Sequence, residues 1–283
     1  LPYTSLHAAL QTGLRQSDIT CLYGAAVSDL ASTEKAALIT YQQQGQTHKL
    51  TTQLAIVADG GKLLEVAHPP LVKDYGQSGI IAHINTSHSS PGVAFEHFTA
   101  QGPMALLPYL DGYELVLTAP HESVREMLQW DDATFLNYLH GHFGDRVGTF
   151  TAVGKRSSYP LRLKRAPDIT FPHTVLIGNA AHTVHPVAGQ GFNMGVRDAW
   201  ELAQTILDNA PDKIGSAAMC AAYRNSRRID RNAGIRFTDG LVRLFSNDHP
   251  LLGHVRSAAL SALDTLPLAK KFVAKRMMFG ANG

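Results

Sequence analysis

The chain has little charge and almost no cysteine. Of its 283 residues, 17% are Asp, Glu, Lys or Arg, and the two cysteines, Cys21 and Cys220, lie far apart. That excludes a disulfide-stapled scaffold and a CxxC redox or zinc motif, and it fits a reducing compartment, so a cytoplasmic location is expected. No apolar run approaches the roughly 18 residues of a spanning helix, and the N-terminus lacks the basic region and apolar core of a signal peptide. The 25 Lys and Arg are nearly balanced by 23 Asp and Glu, a net charge of +2. With no concentrated basic block, a nucleic-acid partner is not expected. What is present, 45% hydrophobic residues with 24 Gly and 14 Pro, excludes disorder and suffices for one large or two modest domains.

Leu6, Leu10 and Leu14 recur at helical spacing, and Asp18 to Tyr23 reads as a strand after them, an α/β rhythm. Ala36 to Tyr41 and Lys49 to Ala58 read as strands around a Gln44-Gly45-Gln46 turn, the second ending at Asp59-Gly60. From about Ser78 to Leu163 the texture becomes antiparallel sheet, with segments at Ile80–Ile84, Ala94–Phe98, Met104–Leu107 and Glu114–Thr118 and a turn signal at Asp111-Gly112. One helix is expected from Ser123 to Phe143, opened by a Ser123/Glu126 capping pattern. Thr174 to Gly178 is a short apolar strand. A helix runs from about Gly191 to Ala210, and the chain beyond Pro211 is helical in character.

The most informative stretch joins that strand to that helix: Val175-Leu-Ile-Gly-Asn-Ala-Ala-His-Thr-Val-His-Pro-Val-Ala-Gly-Gln-Gly-Phe-Asn-Met-Gly195. Small residues at Gly178, Ala180 and Ala181 permit close approach of a ligand, Pro186 stiffens the loop, and Gly189 and Gly191 leave amides open at a helix N-terminus. An electron-rich ring that gains negative charge suits such a place. The glycines are not a GxGxxG dinucleotide fingerprint: their spacing is one residue too long, and the strand ends about ten residues too early.

The whole pattern closely resembles the third signature of the class A FAD-dependent aromatic hydroxylases, G-D-x-A-H-x-x-x-P-x-x-G-x-G-x-N, matched by Gly178, Ala181, His182, Pro186, Gly189, Gly191 and Asn193. Asn179 stands where most members have the Asp that bonds the ribityl chain of FAD. Its amide can still bond a hydroxyl. The Asn-Ala-Ala form, with Ala94–Phe98, Gly102–Pro108 and Gly154–Leu161, is similar to the ubiquinone-biosynthesis branch, the 2-polyprenyl-6-methoxyphenol hydroxylases. Ala55 to Gly60 resembles the family's strand-Asp-Gly signature, tied to the pyrophosphate region of FAD and to reductant binding.

The resemblance implies an α/β fold: a Rossmann-like FAD-binding domain of the p-hydroxybenzoate hydroxylase type, lacking its N-terminal βαβ unit. An antiparallel-sheet substrate domain is inserted in it, and C-terminal helices follow. The expected division is 1–65 for the remaining FAD-binding part, 66–165 for the substrate sheet, 166–210 for the return with flavin loop and helix, and 211–283 for the helical region. The family's GxGxxG segment has no counterpart after Leu1, so the chain is expected to be N-terminally truncated. By the same resemblance Asp59, Gly60, Gly178, Asn179, Pro186, Gly189, Gln190, Gly191, Phe192 and Asn193 contact FAD, with Phe192 and Asn193 amides at the pyrimidine edge and Pro186 at the reactive face. NAD(P)H would be the reductant and a prenylated phenol the substrate, hydroxylated through a C4a-hydroperoxyflavin, with an apolar pocket between the sheet and the Pro186–Asn193 loop.

No residue is assigned a catalytic role by sequence. Glu96 and Tyr159 are candidates to help ionise a phenol, with a sheet-surface carboxylate and a packed tyrosine as the plainer readings. The His182/His185 pair could share a metal, but no third ligand stands nearby; no metal is expected. The arginines from Arg224 to Arg236 read most simply as a solvated helix face, with binding of a partner or pairing with acidic residues as the alternatives. The tail from Leu266 to Phe279 holds four basic and no acidic residues among apolar ones, which suits a membrane surface or a helix-binding partner, with a structural C-terminal helix as the plainer reading. The resemblance implies a ubiquinone-biosynthesis multi-enzyme complex as that partner. The alternative reading is a non-catalytic assembly or lipid-binding module of the same fold.

Overall fold

A computed structural model describes residues 3–88, 92–245, 258 and 261–280. Helix α1 (Tyr3–Arg15) forms where the leucine stripe predicts, yet Leu10 and Leu14 remain exposed. Residues 18–23 are not a strand but exposed irregular chain with no partner strand, so the α/β rhythm expected there is absent.

Strands β1 (Ala26–Ser32), β2 (Ala37–Gln43) and β3 (Gln46–Thr52) form an antiparallel meander. Its β2–β3 turn uses Gln44 and Gly45, both at positive φ, the two-residue geometry that matches strand twist. The single strand expected from Lys49 to Ala58 is two. The chain leaves the meander after Thr52 and re-enters a different sheet as β4 (Ala55–Val57).

A seven-stranded antiparallel sheet follows, built on the long β5 (Leu71–Thr86) with β6 (Phe95–Phe98), β7 (Pro103–Tyr109), β8 (Gly112–Pro120), β9 (Phe150–Val153), β10 (Ser157–Arg165) and β13 (His182–Thr183). Alternate residues Ile80, Ala82 and Ile84 of β5, and Tyr113, Leu115 and Leu117 of β8, turn inward. They are covered by α2 (His121–Met127) and α3 (Asp132–Phe143), which contribute Val124, Met127, Phe135 and Leu139. The one helix expected here is thus two. Ser123 does not cap, since Pro120 is the N-cap of α2. The real side-chain cap is Asp131, which accepts the Thr134 amide at 2.7 Å and starts α3.

The third sheet has the order β11 (Thr170–Phe171), β12 (Thr174–Leu176), β4. Strands β12 and β4 are parallel, pairing Thr174 with Ala55 and Leu176 with Val57. Helix α4 (Gln190–Leu207) and the long α5 (Ala217–Phe245) pack beside them, and α6 (Pro267–Phe279) lies against α4.

Candidate functional site

Because β4 and β12 are parallel neighbours, their following loops emerge at one edge, the carboxyl end where α/β sheets bind ligands. The β4 loop is Asp59-Gly60-Gly61. The Asp59 carboxylate accepts the Gly61 amide at 2.7 Å and the Leu63 amide at 3.0 Å, so it shapes its own turn. Gly60 and Gly61 both have positive φ, and a Cβ on Gly61 would stand 3.3 Å from Ala180 Cα and O. Sequence reasoning singled out Gly60 but missed Gly61, whose lack of a side chain brings the two loops together. The doubled glycine after Asp59 was the available signal.

The β12 loop turns at Gly178–Ala180, with Gly178 in the left-handed region and Asn179 exposed at its tip. It passes through β13, Pro186 and a second short turn, Val187–Gly189, into α4. Gly189 is the N-cap of α4 at φ +61, and no side chain caps the helix. First-turn amides have no intrahelical acceptors and carry the positive end of the helix dipole. Gln190 is buried, Gly191 and Asn193 are half-buried, and Pro186 and Phe192 are exposed. A Cβ on Gly60 or Gly189 would meet nothing within 4 Å. An uncapped helix start beside two open glycine turns fits a flavin nucleotide, whose phosphates and ring carbonyls are acceptors.

A family model described as FAD binding domain matches residues 27–233. The chain belongs to this FAD-binding family. Among curated relatives, ubiquinone hydroxylase UbiL of Rhodospirillum rubrum is 36% identical over 209 residues, covering 72% of this chain and 48% of that protein. Human ubiquinone biosynthesis monooxygenase COQ6, mitochondrial, is 30% identical over 272 residues, covering 81% of this chain and 58% of that protein. The chain therefore spans about half to three fifths of the length of these relatives. Among solved structures, OxyS anhydrotetracycline hydroxylase from Streptomyces rimosus superposes with a TM-score of 0.72 at 18% identity, over 98% of this chain and 56% of that one. The α/β architecture with antiparallel sheet and C-terminal helices expected from the sequence is the one observed.

The Gly178–Ala180 turn is fixed from behind by α4 and α5. A Cβ on Gly195 would lie 3.4 Å from Gly178 Cα, so the first turns of α4 press on the loop backbone. Three residues on, buried Asp198 accepts the Gly178 amide at 2.9 Å and Arg227 Nε at 2.7 Å. Arg227 also pairs with Asp230 at 2.8 Å, and Asp230 with Arg197 at 2.9 Å. Burial works against the Asp230 charge, but hydrogen bonds from Arg197 and the nearby Arg227 hold its carboxyl below the usual range. One turn along α5, Arg231 donates to the Ala166 and Ala181 carbonyls. Arg227 and Arg231 are thus buried structural cations rather than part of a solvated face. Sequence reasoning missed Asp198 and did not separate Arg227 and Arg231 from the rest of the arginine run. Asp198 three residues after Gly195 carried the only local hint.

His182 and His185 are both buried, and burial pushes each down to about 4. Both are therefore neutral at pH 7. His182 Nε2 is 3.6 Å from Asp198, beyond hydrogen-bonding distance. His185 Nδ1 accepts the Val187 amide at 3.2 Å, and its ring meets Tyr75 edge-on at 5.2 Å. The Tyr75 hydroxyl in turn donates to Asp239 at 3.1 Å, tying the sheet to α5. Among the described residues no group of three His, Cys, Asp or Glu could hold a metal. Glu96 sits exposed on β6 and Tyr159 exposed on β10. A cleft of about 340 Å³ opens beside β10 and β13, lined by Val72, Leu161, Thr183 and Val184 and by charged Glu65, Arg162 and Lys164. No residue of the Pro186–Asn193 loop lines it, so it is not the apolar pocket expected between sheet and loop. No helix among the described residues is long and apolar enough to cross a membrane.

Proposed function

We propose that this chain carries much of the FAD site and substrate sheet of a monooxygenase that hydroxylates a polyprenyl phenol in ubiquinone biosynthesis, with NAD(P)H as reductant. The observation that carries the reading is the meeting of two glycine turns at the carboxyl edge of β4 and β12, beside the uncapped start of α4. The names of the relatives, a ubiquinone hydroxylase and a ubiquinone-biosynthesis monooxygenase, support the substrate class.

In this reading Asp59 and Gly60 hold the pyrophosphate region, and Gly178 and Asn179 the ribityl chain. Pro186 and Gly189 to Asn193 form the wall at the ring. Bound flavin supplies the electron transfer and oxygen activation. The chain's own part is electrostatic and steric. The α4 amides favour negative charge at the ring's pyrimidine edge. Asn179 offers an amide that can bond a ribityl hydroxyl without adding charge. The neutral imidazoles of His182 and His185 bring no competing charge behind the loop. The exposed Leu268 and Phe272 and the basic Lys270, Lys271 and Lys275 of α6 support contact with a membrane that holds the prenyl substrate.

The test is turnover by an N-terminally extended form carrying a strand-GxGxxG-helix segment, supplied with FAD, NADH or NADPH, oxygen and a short-chain prenyl phenol. The expected product gains one oxygen atom, with one reduced nicotinamide consumed per product. Flavin reduction with every prenyl phenol left unmodified would overturn the substrate assignment.

A further inference from the structure

On the far side of Arg231 from the flavin-type turn lies a second cleft, of about 320 Å³. It is lined by Arg165, Asp168, Arg224, Arg228, Arg231 and Asn232, together with Pro167 and Ile169. Four guanidiniums face one carboxylate, and that carboxylate is already engaged. Asp168 accepts the Ile169 amide at 2.7 Å and the Thr170 amide at 3.2 Å, and it pairs with Arg224 at 3.3 Å. The nearest other acids are committed to different cations: Asp198 to Arg227, and Asp230 to Arg227 and Arg197.

Two of the arginines are built in rather than draped on the surface. Arg231 is 7% exposed and anchored by its carbonyl bonds to Ala166 and Ala181, yet its Nε is buried without a hydrogen-bond partner. The Nε of Arg165 is likewise buried and unpartnered. Leaving such donors unpaired among like charges is costly. Burial, and then the charge of Arg165, pushes Arg231 down to about 10. The exposed Arg224 and Arg228, four residues apart on α5, present two further forks at the mouth.

We infer that this cleft is a binding site for a phosphorylated small molecule, with Arg165 and Arg231 at its base and Arg224 and Arg228 closing on the phosphate. Planar guanidinium forks match phosphate oxygens bidentately, and several of them favour a doubly charged phosphate over a single carboxylate. The volume leaves room for an organic portion beyond the phosphate. That portion is a nucleotide or the headgroup of a phospholipid. The inference stands apart from the flavin reading, since none of these arginines belongs to the glycine turns.

The experiment is calorimetric titration of the chain at low ionic strength, where ion pairing is least screened. Adenosine 2′,5′-bisphosphate is the nucleotide probe and sn-glycerol 3-phosphate the headgroup probe. Each is also titrated into the double variant Arg224→Ala/Arg228→Ala, whose melting temperature is checked without ligand. Saturable binding of at least one probe, weakened tenfold or more in an equally stable variant, is the expected result, and the tighter probe names the source. Binding of neither probe, or equal binding by the variant, as a phosphate held only in the flavin site would give, overturns the proposal.

Discussion

The seven-stranded sheet and the three-stranded sheet are stabilised by different means. The larger sheet is covered by α2 and α3 and closes on an apolar core from Ile80 to Phe150, including the fully buried Leu106, Leu115, Leu117, Phe135 and Leu139. The smaller one has a thinner core, and behind its turn lies a buried polar set: Asp198, Arg227, Asp230, Arg231 and two neutral histidines. Its flank is also open, with Ile56 on β4 and Phe192, Val196 and Trp200 along α4 exposed. Apolar packing tolerates small shape changes. A buried hydrogen-bonded network holds one backbone geometry and fails when one partner is lost. The loop after β12 is the one held by the network, through the Gly178 amide and the Ala181 carbonyl.

Acid separates the two regions most strongly. His182 and His185 bind protons in the unfolded chain near the ordinary 6.5 but in the folded chain only near 4. The unfolded state thus holds more protons between these values. Stability is full above pH 6.5 and falls as pH drops towards 4, by about 3 kcal/mol per histidine. Among the described residues the apolar core under α2 and α3 has no buried histidine, and His182 sits on β13 at the far edge of that sheet. Hydrogen exchange at pH 5 should therefore show the Gly178–Gly189 segment opening before β5 and β8, and simultaneous opening would break the contrast.

Asp198→Ala comes next, because it strands Arg227 in the interior and frees the Gly178 amide. A loss of about 4 kcal/mol in urea unfolding is expected, with weakened flavin affinity in the extended form. Leu117→Ala in the sheet core should cost about 3 kcal/mol through the cavity it leaves, while flavin affinity stays unchanged. Equal effects of both variants on flavin would erase the distinction between the regions. The smallest effect is Asp131→Ala, a slight lowering of the urea midpoint from the lost α3 cap.

What the sequence reveals follows the range of the forces involved. The Gln44-Gly45 turn, the start of α4 and the ordered glycines from Gly178 to Gly191 are written in short-range residue chemistry and were legible. The break between α2 and α3 was not, because Ser123/Glu126 offers a local cap that competes with the one Asp131 makes. The division of Lys49–Ala58 between two sheets depends on β12, more than a hundred residues away. The leucine stripe of α1 forms the helix its spacing predicts, yet Leu10 and Leu14 stay exposed. Likewise the arginines of α5 look alike in sequence, and only the approach of Asp198 and of the Ala166 and Ala181 carbonyls decides that Arg227 and Arg231 are buried.

The central claim is that the Gly178–Asn193 segment is the wall of a flavin site. The direct measurement is an FAD titration of the extended form and of its Gly189→Val variant, followed by flavin fluorescence and the visible spectrum. A β-branched residue at φ +61 is strained and disturbs the α4 start. Saturable binding that weakens at least tenfold in the variant, while the flavin-free proteins melt within a few degrees of each other, is the result expected. Equal affinity in both proteins, or no binding by either, would contradict it.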